Sequence, residues 1–201
     1  MRLESAVLCC GCLLLLEILV SCGASGGAEQ ATTSSATTTA SRGSTGAEYP
    51  SATLQVSSPA FEAGGTIPTK YTGEGQSISP PLSWGGLPER TRELALICDD
   101  PDAPRSEPFV HWVVYKNPAD SKGLPEGSAQ GALEGKNGAG RVGYTGPMPP
   151  QGGGVHHYHF KVYALDSELD VAAGLTKDQL LEAMEEHVLA EGELVGTYER
   201  E

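Results

Sequence analysis

Basic side chains are scarce. Only 13 Lys and Arg stand against 26 Asp and Glu, a formal charge of −13. A chain this acidic is soluble and repels a phosphate backbone, so no nucleic acid is expected as partner. No run of five or more charges occurs, which spreads the acidity over a surface rather than holding it in a tail. Cysteine is scarce where a fold could use it. Cys9, Cys10, Cys12 and Cys22 crowd the N-terminal end, and Cys98 alone lies further on. One thiol cannot close an intrachain bridge, so a disulfide framework is excluded there even in an oxidising compartment. Catalytic signatures are absent too. There is no Gly-x-Ser-x-Gly elbow, and Gly135-Lys136-Asn137-Gly138-Ala139-Gly140 lacks the Gly-Lys-Ser/Thr ending of a P-loop. Cys98 sits in Leu94-Ala95-Leu96-Ile97-Cys98, where a buried, inert thiol is expected. The expectation is a protein that is not an enzyme and carries no cofactor.

What is present falls into three stretches. The first 22 residues read as an export signal: Arg2, then an apolar stretch from Ala6 to Val20 broken by Glu17. A membrane span needs ~20 mostly apolar residues, and this run is shorter and interrupted. It ends at Leu19-Val20-Ser21-Cys22, which resembles a bacterial lipobox. Cys22 is then the expected lipid anchor, holding an exported protein at a membrane of the bacterial cell envelope. The alternative is a plain secretory signal cut near Ala24 or Ser25 and a secreted protein. Residues 23–50 are Ser, Thr, Ala and Gly with almost nothing apolar larger than Ala, the composition of a flexible tether.

From residue 51 to residue 201 the texture is that of one folded domain. Short β-branched and aromatic runs alternate with Pro/Gly clusters, predicting strands at Thr53–Val56, Glu93–Cys98, Val110–Tyr115, Tyr158–Leu165 and Glu193–Tyr198. Thr176 and Gln179 form a capping box, and Leu180, Leu181, Met184 and Val188 share one helical face. A weaker helical turn is expected at Asp170–Gly174. The fold class is mainly β: two packed sheets with one or two peripheral helices.

Three segments hold the site-like residues: Asp99-Asp100-Pro101-Asp102-Ala103-Pro104, Phe109-Val110-His111-Trp112, and Gly152-Gly153-Gly154-Val155-His156-His157-Tyr158-His159-Phe160. Taken singly, the first reads as a turn, His111 as a hydrogen-bonded core histidine, and the other histidines as ordinary strand residues. Together they supply convergent polar groups for a small concave site. Strand alternation puts His156 and Tyr158 on one face and His157 and His159 on the other. This strand can therefore give a pocket at most two histidines, which argues against zinc. His111, His156 and Asp100 could still form a set of two histidines and a carboxylate; no metal is the expectation.

Ser77-Ile78-Ser79-Pro80-Pro81-Leu82-Ser83-Trp84, Asp100-Pro101-Asp102-Ala103-Pro104, Phe109-Val110-His111-Trp112-Val113-Val114-Tyr115, Gly143-Tyr144-Thr145-Gly146-Pro147-Met148-Pro149-Pro150 and His156-His157-Tyr158-His159-Phe160 occur in that order. Together they resemble the phosphatidylethanolamine-binding protein family, in its bacterial Raf-kinase-inhibitor-like branch. The resemblance covers about 150 residues, everything after the tether. It implies two antiparallel sheets with a small anion pocket at one end, lined by Asp100, Asp102, His111, Pro150, His156 and Tyr158. It implies phosphate-containing ligands, lipid head groups included. As an alternative it implies a kinase or protease partner met through the surface. A homodimer is compatible with the sequence. The family usually reads Gly-x-x-x-His-Arg, and His157 stands at the Arg position. An Arg brings a permanent charge and a five-donor fork that His lacks. By alternation position 157 faces away from the pocket, so the change falls on the packing or ion pairing behind it. Beside Asp100, the charged forms of His111 and His156 would be favoured, predicting tighter anion binding at mildly acidic pH.

Overall fold

The structure, a computed structural model, describes residues 52–201. The expected leader, Cys22 anchor and tether lie outside the described residues. No described helix is long and apolar enough to cross a membrane.

The unbroken apolar run before Asp99 explains the architecture. A strand buried on both faces needs no alternation. β4, Glu93–Asp100, is such a strand, buried at every position. It lies inside a six-stranded sheet between β5 (Phe109–Pro118) and β8 (His156–Leu165). β9 (Val188–Tyr198) follows β8, with β1 (Ala52–Thr53) at one edge and β7 (Leu133–Glu134) at the other. A smaller sheet of β2 (Gln55–Ser57), β3 (Leu82–Gly85) and β6 (Gly123–Leu124) covers one face. Pairing is antiparallel throughout, except that β1 runs parallel to β9.

The large sheet thus separates two cores. Leu94, Leu96 and Cys98 of β4 point into the space between the sheets, beside Trp112, Phe160 and Leu194. Ala95 and Ile97 point the other way, against Leu180 and Met184 of the helix α1 (Lys177–Met184). α1 begins as its sequence predicts. Thr176 accepts a hydrogen bond from the Gln179 amide, and the Gln179 side chain accepts one from the Thr176 amide. This satisfies two donors that a helix start leaves open.

All five expected strands occur, most of them longer. Three local expectations change, and one strand is added. The first strand is broken at Leu54: β1 joins the large sheet and β2 the small one. There the Leu54 carbonyl comes so close to Gly192 that a Cβ at Gly192 would lie 2.3 Å from its oxygen. Only glycine fits that crossing. Asp170–Gly174 is not helical. The Tyr115 hydroxyl ties it down instead, donating to the Ala172 carbonyl at 2.9 Å and accepting from the Leu175 amide just beyond it at 3.2 Å. Val188 belongs to β9 rather than α1, yet it packs in the same cluster as Leu180 and Met184. Leu82–Gly85, directly after Pro80-Pro81, is a strand. Its Trp84 is tied by its indole N–H to the Ser121 carbonyl at 2.9 Å.

Candidate functional site

Antiparallel pairing brings the end of β4 beside the starts of β5 and β8. Asp100 pairs with Phe109, and Asp99 with His159. The loops leaving those ends therefore converge, and between them lies a cavity of about 310 Å³. Asp100, His111 and His156 line it from the sheet. Pro104 and Arg105 line it from the loop after β4; Thr145, Gly146, Met148, Pro149 and Pro150 line it from the loop before β8. That second loop is held from behind. The Gly73 amide donates to the Pro147 carbonyl at 2.8 Å, and the Gly146 amide to Ser77 Oγ at 2.9 Å. From the C-terminus, Arg200 Nη1 donates to the Pro149 carbonyl at 3.2 Å. Fixed prolines on such bracing make a preformed wall.

His111 reaches the cavity through an irregularity. Cys98 pairs with Trp112 but Asp99 pairs with Val110, so His111 is the extra residue of a β-bulge. Val110 packs on the outer core, while Trp112 and the His111 ring both lie on the inner side. His111 Nδ1 lies 2.7 Å from the Thr145 carbonyl. A carbonyl only accepts, so Nδ1 carries the proton. The ring stands edge-on to Phe109 at 4.8 Å and to Tyr158 at 5.1 Å. Burial pushes its pKa below the ordinary 6.5, and the Thr145 carbonyl and Asp100 offset this only in part. The expected help from Asp100 is thus outweighed by desolvation, and His111 is neutral at neutral pH.

This has a measurable consequence. Between the lowered value and 6.5 the unfolded chain binds more protons at this site than the folded one. The stability His111 contributes is therefore fully present above pH 6.5 and is lost as pH falls through that window. Urea unfolding of the protein and of His111→Gln, at about pH 7.5 and about pH 5, is expected to show a smaller gap between them at the lower pH. An unchanged gap would mean that the folded His111 titrates like an exposed one.

His156 is the better placed donor. Its Nδ1 lies 2.8 Å from Asp100 Oδ2, with the two side chains only 6 % and 5 % exposed. Asp100 Oδ1 accepts from the Asp102 amide at 2.9 Å, so this carboxylate also shapes the following loop. With Nδ1 committed to Asp100, the Nε2 of His156 is the nitrogen left for a ligand.

Of the six residues expected to line the site, the structure gathers four at the cavity: Asp100, His111, Pro150 and His156. Asp102 turns outward. Its carboxylate accepts from the His157 amide at 2.8 Å and lies 2.7 Å from His157 Nδ1. That hydrogen bond holds it below the usual carboxylate range. His157 thus meets Asp102 on the side away from the cavity. Tyr158 is fully buried behind His111, and its hydroxyl has no hydrogen-bond partner among the described residues. Burial, then Asp100, push its pKa far up, so the phenol stays protonated. The adjacent Asp99 faces the outer side, beside Lys161 and Lys177. Cys98 is buried and its thiol is pushed up by burial, as expected of an inert residue. Among the described residues no group of three or more His, Cys, Asp or Glu is placed to hold a metal ion. Sequence reasoning missed Arg105, whose only signal was its position directly after the Asp-Pro-Asp-Ala-Pro segment; Phe109 opens a segment that was singled out but was not itself expected to line the site.

The profile of the phosphatidylethanolamine-binding protein family matches residues 57–199. The chain belongs to this family. Among similar phosphatidylethanolamine-binding protein family structures is the homologue CT736 of Chlamydia trachomatis, 44 % identical with a TM-score of 0.71, covering 75 % of this chain and all of that one. YbcL of E. coli is 34 % identical with a TM-score of 0.69, covering 75 % of this chain and all of YbcL. A UPF0098 protein of Methanothermobacter thermautotrophicus is 48 % identical over 153 residues, 73 % of this chain and 99 % of the relative. Members of the phosphatidylethanolamine-binding protein family are generally non-enzymatic binding proteins, and membership supports a ligand-binding or regulatory role.

Proposed function

We propose that the cavity binds phosphate-containing ligands, a phospholipid head group or another phosphorylated group, without turning them over. The observation that carries this is the buried Asp100–His156 pair at the cavity. The carboxylate fixes the ring, and a protonated imidazole donates a charge-assisted hydrogen bond from Nε2 to a phosphate oxygen. A preformed wall keeps the ordering cost of binding low. The lining holds no serine or cysteine, so no Ser–His or Cys–His pair stands there, which supports binding rather than hydrolysis. We further propose that the protein is exported and held at a membrane by lipid on Cys22, which would place this cavity among envelope phospholipids.

The test is titration with O-phosphorylethanolamine and with inorganic phosphate, followed by NMR of the histidine rings. Saturable shifts at His111 and His156 are expected, with loss of saturation in His156→Ala. Silence up to about 10 mM ligand, weaker than roughly −3 kcal/mol, would move the reading to regulation of a kinase or protease through the surface.

A further inference from the structure

Arg105 is the one permanently charged cation among the residues that line the cavity. Its guanidinium carbon lies 4.8 Å from the Phe109 ring centroid. Phe109 also lines the cavity, so this cation–π contact parks the charge at the site. Among the described residues no carboxylate pairs with it, and its N–H fork is free.

The rest of the lining cannot neutralise an anion. His111 is neutral and its Nε2 is an acceptor. The charge of a protonated His156 is matched by Asp100 at 2.8 Å. Without Arg105 the lining therefore sums to zero charge at best and to a net negative charge once His156 is neutral. A phosphate entering it gains hydrogen bonds but no net Coulomb attraction, so Arg105 must supply that attraction.

Counting donors narrows the ligand. Arginine's fork pairs with two oxygens of one phosphate. His156 Nε2 pairs with one more. A phosphomonoester has three terminal oxygens and meets all these donors. A phosphodiester has two and about half the charge, so two donors must share one oxygen and the Coulomb attraction is weaker. We propose that Arg105 is the specificity-determining residue of the cavity and makes it select phosphomonoesters over phosphodiesters. This rests on the reading that the cavity binds phosphate.

The experiment is calorimetry on the protein at one pH and salt concentration, with O-phosphorylethanolamine against glycerophosphorylethanolamine. The two share an ammonium group and differ in the esterified oxygen. The wild type is expected to prefer the monoester by about tenfold or more. Arg105→Gln should weaken the monoester about tenfold and the diester about threefold or less, cutting the preference to about threefold or less. Arg105→Lys should restore charge without the fork and recover only part of it. Arg105 is exposed, so melting temperatures should not change. Equal binding of both ligands by the wild type, or a preference still about tenfold in Arg105→Gln, overturns the assignment while phosphate binding stands. A diester preference overturns it in favour of a lipid head group. Binding of neither ligand removes it together with the reading of the cavity, and the histidine titration is then silent as well.

Discussion

Asp100→Ala is expected to abolish measurable phosphate binding, a loss of at least about thirtyfold, while the protein still folds. Asp100 holds His156 Nδ1 at 2.8 Å and the Asp102 amide at 2.9 Å. Alanine removes both contacts, freeing the ring and loosening the loop that carries Pro104 and Arg105. The hydrogen bonds left unmade cost about 1–3 kcal/mol. An opposing effect exists, because alanine also removes a negative charge that repels the anion. Orientation is expected to dominate, since an unfixed imidazole offers the anion no set direction. Asp100→Asn separates the two effects. It keeps an acceptor for Nδ1 and drops the charge, and its affinity should fall between wild type and Asp100→Ala. Tighter binding by Asp100→Ala would show that repulsion governs the site and that the pair does not build it.

Much of this was readable because burial leaves a periodic mark. The apolar run through Cys98 announced a strand, and β4 is one, buried at every position. Alternation correctly divided the four residues from His156 to His159: 156 and 158 are buried, 157 is exposed and 159 partly so. What escaped depends on departures from period or on long-range contact. The bulge that turns His111 inward inserts one residue, and nothing local in Phe109-Val110-His111-Trp112 marks it. Asp102 and Tyr158 were placed at the pocket because motif membership fixes neighbourhood, not direction. A partner 55 residues away, His157, turns Asp102 outward. Tyr158 keeps its alternation but lies one layer behind, beneath His111. Arg105 escaped because a loop has no period to read, and the ring that holds it is reached only after the chain turns back into β5. Val188 carried the right information about burial and the wrong secondary structure, because one apolar cluster is fed by both the helix and the next strand.

The inner core should be the less forgiving part of the molecule. Phe160→Ala is expected to lower stability by about 3–5 kcal/mol. Phe160 is fully buried on β8, between Cys98 of β4 and Leu194 of β9, and its ring lies 5.9 Å from that of Phe61. The cavity left behind cannot close easily. Its floor is a sheet whose strands are fixed by ladders on both sides, so relaxation would have to move backbone rather than side chains. For a domain of roughly 150 residues each kcal/mol corresponds to about 2–4 °C, giving a fall in melting temperature of about 6–20 °C. Phe160→Leu keeps most of the volume and should cost about 1.5 kcal/mol or less. A loss under about 1 kcal/mol for the alanine variant would contradict close packing between the two sheets. Comparison with Asp100→Ala then separates the two kinds of residue on the inner face of this sheet. Below its melting transition, Phe160→Ala should keep saturable phosphate binding per folded molecule, because His156 and Asp100 at the strand ends hold each other. Asp100→Ala should stay folded to higher temperature and lose binding. If both variants lost both properties together, the cavity would depend on packing at Phe160 rather than on the Asp100–His156 pair, and the ligand site would be a consequence of the core instead of a local construction at its end.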